Sequence, residues 1–188
     1  MKIFTIIGGV NGVGKSSIYG ALGAANEKLG VVIDTDKITA RLGGDKLMGG
    51  KEAVRLISNC MDRGENFTWE TTLSGNKPLK TILEAREKGY IISLYYIAVS
   101  SAEESLSRIQ NRVRKGGHDI PGDDVKKRFD KRLEDLMKIL PYCDSAMFVD
   151  NENGFAVVGV YLDGKLMLVN GNLPDWILSL KEMLEYST

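Results

Sequence analysis

Residues 9–16 read Gly9-Val10-Asn11-Gly12-Val13-Gly14-Lys15-Ser16 and fill every fixed position of the pattern G-x-x-x-x-G-K-[ST]. The pattern carries weight only between a strand and a helix. Residues 2–7 (Lys-Ile-Phe-Thr-Ile-Ile) form a β-branched and aromatic run that predicts a buried strand, and residues 14–28 predict a helix. In that setting backbone N–H groups of the loop turn inward around a β-phosphate, and the helix start adds its partial positive charge. Glycines permit the close approach. Lys15 supplies a point charge to the β- and γ-phosphates, and the Ser16 hydroxyl is expected as a magnesium ligand. The expected nucleotide cradle is Gly9, Val10, Asn11, Gly12, Val13, Gly14, Lys15, Ser16 and Ser17, with ATP and Mg2+ as the implied cofactors.

Outward from this loop, short apolar runs alternate with amphipathic stretches. A strand is expected at 31–34, a helical turn at 37–42, and a glycine-rich, mobile connection at 43–50. A helix follows at 51–63, a strand at 66–70 and a helix at 77–88. Residues 90–99 are the most apolar run, which suits a central strand. Residues 101–115 predict a helix opened by a capping box of Ser101 and Glu104. Residues 123–140 predict one long helix with an apolar stripe of Val125, Phe129, Leu133 and Leu136. After a strand at 145–150, two strands flank Asp163-Gly164, a strong hairpin signal, and a short helix closes from 173. This alternation predicts an α/β fold of the P-loop NTPase, nucleotide-kinase-like kind: a three-layer α/β/α arrangement around a mainly parallel sheet with a C-terminal antiparallel hairpin. No repeat, low-complexity segment or linker divides residues 1–188, so a single domain is expected.

Lys+Arg and Asp+Glu each number 25, so the net charge is zero and no global basic field marks a nucleic-acid binder. No apolar run approaches a membrane span, and no signal peptide is evident. Cys60 and Cys143 fit no metal or redox spacing and are expected as free core thiols. Such sparing cysteine use suits a reducing compartment, and a cytoplasmic location is expected.

Phosphoryl transfer also needs a group that orients a hydroxyl and accepts its proton, and cations that meet the charge on the transferred group. The second strand ends in Asp34-Thr35-Asp36, at the carboxyl edge where parallel sheets place ligands. Asp36 is the candidate base; its alternative role is a helix N-cap. Asp34, two residues earlier, shares a face with Asp36 if the strand runs that far. It is the backup base or an indirect partner to magnesium, acting through a group bound to the metal. The third strand ends in Trp69-Glu70-Thr71-Thr72. Glu70 stands where it can hold a metal-bound water or a substrate hydroxyl; its alternative role is to order the start of the next helix, which Thr71, Thr72 and Ser74 also suit. Trp69 is expected in the core.

A basic segment follows. Arg108 and Arg112 share a helix face, the helix breaks at Gly116-Gly117, and Arg128 and Arg132 are again four apart. Two helices joined by a glycine loop can present arginines as a lid around 108–132, since the planar guanidinium pairs bidentately with phosphate oxygens. The competing reading is a solvated face with pairs such as Asp124 with Arg128 and Lys131 with Asp135. His118, the single histidine, sits in the glycine loop, to touch substrate or phosphate or to order the loop.

The combination of residues 8–17, Asp34-Thr-Asp36, Glu70-Thr-Thr-Leu and Arg112-Val-Arg-Lys-Gly-Gly-His118-Asp-Ile-Pro resembles the zeta-toxin-like P-loop kinases from residue 1 to about 170. The resemblance implies a kinase whose toxin members phosphorylate a sugar hydroxyl of UDP-N-acetylglucosamine. It implies Asp36 as base, Arg112 or Arg114 and Arg128 on the ATP phosphates, Glu70 on substrate, and Asp150-Asn151 bounding the adenine side. It also raises an antitoxin-like protein partner. The chain departs from many toxin members in reading Glu70-Thr71-Thr72-Leu73-Ser74 where they carry an arginine soon after Glu-Gly-Thr.

The leading expectation is therefore an ATP-dependent kinase of a small-molecule hydroxyl, on a sugar or nucleotide sugar. Its catalytic residues would be Lys15, Asp36, Arg112 and Arg114, with Asp34, Glu70, Thr71, Thr72 and His118 toward the substrate and Ser16 toward the metal. A nucleotide-dependent switch or ATPase acting on a protein, and a toxin-type kinase under an antitoxin, are the alternatives. A nucleic-acid or membrane role is not expected.

Overall fold

Residues 1–24, 29–117, 119–169 and 171–186 are described in a computed structural model of the chain. Seven strands form one sheet: β1 (Lys2–Gly8), β2 (Val31–Asp34), β3 (Phe67–Thr71), β4 (Tyr90–Ala98), β5 (Ser145–Asp150), β6 (Ala156–Leu162) and β7 (Lys165–Leu168). Their order is β2-β3-β1-β4-β5-β6-β7, parallel through β5 and antiparallel thereafter. The strand at 90–98 is thus central, as its apolar run predicts, and the expected fold class holds.

The sheet separates two apolar layers by strand alternation. Phe4 and Ile6 of β1 point to one face, where they join Phe67, Ile92, Tyr96 and Phe148. That face is covered by α3 (Lys46–Arg63), α4 (Lys77–Glu87), α7 (Arg132–Ile139) and α8 (Asp175–Glu185). Ile7 points to the other face, with Tyr95, Ile97 and Val149, beneath α1 (Ile18–Ala24) and Phe129 of α6 (Gly122–Asp130). A third, small cluster of Ile109, Ile120 and Val125 joins α6 to α5 (Ala102–Arg114) away from the sheet.

Three expectations about elements are corrected. The segment 43–50 is not a loop throughout: α3 starts at Lys46, capped by Asp45, whose carboxylate accepts from the N–H groups of Leu47 and Met48. Gly49 lies inside this helix because a Cβ there would fall 2.0 Å from Thr39 Oγ1 of α2 (Thr35–Arg41). The single long helix expected over 123–140 breaks at Lys131. Its stripe serves three clusters: Val125 the α5–α6 core, Phe129 the α1 face, and Leu133 and Leu136 the opposite face. The break carries the chain from one side of the sheet to the other. The capping box at Ser101 is half made. Ser101 accepts from the Glu104 N–H, while the Glu104 side chain pairs with Arg108.

The helix expected over 14–28 opens as a 3-10 turn at Lys15–Ser17 and is α-helical over Ile18–Ala24, and its residues 25–28 lie outside the described residues. Asp163 (φ 50°) and Gly164 (φ 77°) are both left-handed, the requirement of a two-residue hairpin turn. Cys60 and Cys143 are both buried and free. Among the described residues no helix is long and apolar enough to cross a membrane.

Candidate active site

The carboxyl ends of β1, β2 and β3 lie side by side, with Asp34 opposite Glu70 and Gly8 opposite Thr71 in the strand register. The loop 9–14 leaves β1 there and runs into a 3-10 turn at Lys15–Ser17. Gly12 (φ 87°) and Gly14 (φ 92°) are left-handed, and a Cβ on them would fall 2.4 Å from the Ser105 carbonyl oxygen and 2.5 Å from Asn151 Nδ2. Only glycine fits either place. Asn151 fixes the loop further by donating Nδ2–H to the Val13 carbonyl at 2.8 Å. Lys15 is buried, and its ammonium donates to the Val10 carbonyl at 3.0 Å. Burial pushes its pKa below the ordinary lysine value, opposed by the nearby charges of Glu70, Asp36 and Asp34. A buried ammonium held by a neutral carbonyl, inside a glycine cradle, fits a polyphosphate.

Ser16 hydrogen-bonds both carboxylate oxygens of Glu70, at 3.0 and 3.1 Å. Tyr19 donates its hydroxyl to the same carboxylate at 3.3 Å. Burial above all raises the Glu70 pKa, with Lys15 opposing it. Among the described residues no three His, Cys, Asp or Glu side chains gather to hold a metal by themselves. Magnesium does not need such a cage. It takes one or two protein oxygens plus phosphate and water, which the Ser16 hydroxyl beside Glu70 can supply.

Asp34 and Asp36 divide their roles differently from the sequence expectation. The strand stops at Asp34, so the two do not share a strand face. Asp34, not Asp36, caps α2: its Oδ1 accepts from the Lys37 N–H at 3.0 Å, and its Oδ2 pairs with Lys37 Nζ at 3.1 Å. Asp36 stands in the first turn of α2, exposed, on the cleft wall.

Two connected clefts meet at this wall. The larger, about 510 Å³, is lined by the phosphate loop from Asn11 to Ser17 and by Arg108, Arg112 and Asn151. The smaller, about 230 Å³, is lined by Thr35, Trp69, Thr71, Thr72, Ser74, Lys77, Pro78 and Arg128. Asn11, Lys15, Asp34, Asp36 and Glu70 line both. Between the lining residues Thr72 and Ser74 the chain turns at Leu73, a buried residue in the left-handed region (φ 62°) whose N–H donates to Thr71 Oγ1. The turn brings Thr71, Thr72 and Ser74 together on the cleft lining.

The basic segment is only partly gathered here. Arg108 and Arg112 reach the larger cleft, and Arg108 also bonds Glu104 and the Glu152 carbonyl. Arg114, two residues past Arg112 and so on the opposite side of α5, lines neither cleft. Arg128 reaches the phosphate loop and hydrogen-bonds Asn11 Oδ1 at 2.6 Å. Arg132 is spent on packing: its guanidinium lies 3.7 Å over the Phe129 ring and donates to the Phe129 carbonyl. The Asp124–Arg128 and Lys131–Asp135 pairs of the competing solvated-face reading are replaced by Arg128–Asn11 and Lys138–Asp135. Asp150 turns from the cleft to accept from the Trp176 indole N–H at 2.9 Å. His118 lies outside the described residues. Tyr19, Lys37 and Lys77 were not anticipated. Tyr19 had a signal, since it follows Ser16 by three residues at a helix start.

The zeta toxin family model matches residues 50–153. The chain belongs to the zeta toxin family. Within this P-loop kinase family the match takes in Glu70, the basic segment and Asn151, while the phosphate loop and Asp36 precede it. An "Uncharacterized protein" of Haemophilus influenzae is 32% identical over 126 residues, which is 64% of this chain and 88% of the relative. Among solved structures, that of the PezAT chromosomal toxin-antitoxin system of Streptococcus pneumoniae superposes with a TM-score of 0.67 at 17% identity. It covers 100% of this chain and 87% of the other. The AvrRxo1-ORF1:-ORF2 structure with ATP gives a TM-score of 0.71 at 16% identity over 96% of this chain. This chain spans 64% of that protein's length. At such identities the solved structures establish the shared fold.

Proposed function

We propose that this zeta toxin family member is an ATP- and Mg2+-dependent kinase that transfers the γ-phosphoryl group to a hydroxyl of a small molecule in the cytoplasm. One observation carries the reading. Of the three carboxylates on the wall common to both clefts, Asp34 is engaged as a helix cap and Glu70 by Ser16 and Tyr19, while Asp36 stands exposed between the phosphate loop and the second cleft. A switch or hydrolase needs no such base facing a separate pocket.

In this reading Asp36 takes the proton of the acceptor hydroxyl as its oxygen bonds to the γ-phosphorus. The bond from that phosphorus to the β,γ-bridging oxygen breaks, and ADP leaves. Lys15 and Arg112 meet the charge spread over the transferred group. Ser16, supported by Glu70, holds Mg2+, which neutralises phosphate charge when bound. Residues 108–132 act as the lid of a single domain, and Arg128 ties that lid to the loop through Asn11. Replacing Asp36 by Asn should cut transfer by about 10²–10⁴-fold, the usual contribution of a general base, with the MgATP dissociation constant unchanged. Transfer at the normal rate would remove Asp36 from this role.

A toxin-type kinase governed by a protein partner is the second reading. It is favoured by the superposition of the whole chain on a structure from a toxin-antitoxin system.

A further inference from the structure

We propose that the acceptor is a small polyhydroxylated molecule with one anionic group, a sugar acid or sugar phosphate of single-ring size, rather than a nucleotide sugar. The inference rests on the kinase reading above for which cleft takes the acceptor, and on the smaller cleft itself for what fits there. Pockets for drug-sized ligands span roughly 300–1,000 Å³. The smaller cleft holds about 230 Å³ and shares five lining residues with its larger neighbour, which the kinase reading gives to the nucleotide.

Its lining has three parts. Thr71, Thr72 and Ser74, held by the Leu73 turn, offer three hydroxyls that both donate and accept, which matches a polyol. Trp69, buried in the core as expected, and Pro78, also buried, show the cleft only an apolar edge. Trp69 is fixed there by its indole N–H on Thr35 Oγ1 at 3.3 Å. The third part is cationic. Lys77 lines the cleft and is exposed, and among the described residues no carboxylate lies within ion-pair distance of it. Arg128 flanks the cleft with a neutral amide as its partner. The carboxylates Asp34, Asp36 and Glu70 stand on the wall shared with the phosphate loop. An acceptor with its hydroxyl at Asp36 and its anion toward Lys77 matches both signs of charge. The reverse orientation places like charges together.

The test pairs binding with transfer. The whole protein is loaded with Mg2+ and a non-hydrolysable ATP analogue, then titrated calorimetrically with glucuronate, glucose 6-phosphate, glucose and UDP-N-acetylglucosamine. The same four are offered as acceptors with labelled ATP. The anionic single-ring compounds should bind at least about tenfold more tightly than glucose, the scale of one charge-assisted contact. Glucuronate against glucose 6-phosphate separates a carboxylate from a phosphate preference. Lys77→Ala should raise KM and Kd for the preferred anion about tenfold with KM for ATP unchanged, and Lys77→Arg should restore much of the loss. Tightest binding of glucose or of the nucleotide sugar, or an unchanged Kd in Lys77→Ala, overturns the proposal. Selective, Lys77-dependent binding of the anions without transfer to any acceptor would uphold the pocket and overturn the kinase reading instead.

Discussion

Asp34, Asp36 and Glu70 are chemically alike, and their partners separate them. The residue types and their neighbourhood were legible in the sequence. The division of labour was not, because it depends on where β2 stops. One residue more of strand would have put Asp34 and Asp36 on one face; instead Asp34 caps α2 and Asp36 enters its first turn. Glu70 shows the electrostatic side of the same geometry. Burial raises its pKa, so as pH falls its carboxylate is lost above the ordinary glutamate range. Protons then compete with Mg2+ at the Ser16–Glu70 pair. The MgATP dissociation constant should therefore rise as pH drops toward that range, while Glu70→Gln should bind MgATP more weakly at neutral pH and show a flatter profile. An identical pH profile in wild type and Glu70→Gln would dissociate Glu70 from the metal.

At the scale of elements, sequence periodicity found the helices and missed two boundaries for local reasons. The glycines of 43–50 read as a loop, yet Gly49 is where α3 crosses Thr39 at close range, so the glycine serves packing inside a helix. Asp45 was the available signal for the start. Asp45→Ala should lower unfolding stability by about 0.5–2 kcal/mol, as loss of an N-cap does, measured by denaturant titration. Little change would mean that the Gly49–Thr39 contact alone fixes the helix start. The Lys131 break was invisible because a stripe spaced for a helix says nothing about which layer each residue meets. Arg132 follows from the same break. It keeps its four-residue spacing from Arg128, but Arg128 points to the phosphate loop while Arg132 stacks on Phe129.

For the whole molecule, alternation predicted a parallel sheet with helices on both faces, and Asp163-Gly164 predicted the antiparallel edge. The strand order is a property of long-range pairing that no local pattern encodes. That order sets the ends of β1, β2 and β3 side by side, and nucleotide binding there should stabilise the entire fold. At a hundredfold excess over its dissociation constant, MgATP should add about 2.7 kcal/mol, which for this chain length is a rise of roughly 5–10 °C in Tm. Chelating the metal should reduce the rise, and no shift at saturating nucleotide would refute binding. The shared wall of the two clefts has a kinetic consequence as well. Asn11, Lys15, Asp34, Asp36 and Glu70 face both spaces, so the two substrates meet directly across one set of side chains. Initial-rate plots at varied ATP and acceptor should intersect rather than run parallel, and a γ-phosphorus made chiral with oxygen isotopes should emerge with its configuration inverted. Parallel lines or retention would require the phosphoryl group to pause on the protein, as on a side-chain carboxylate.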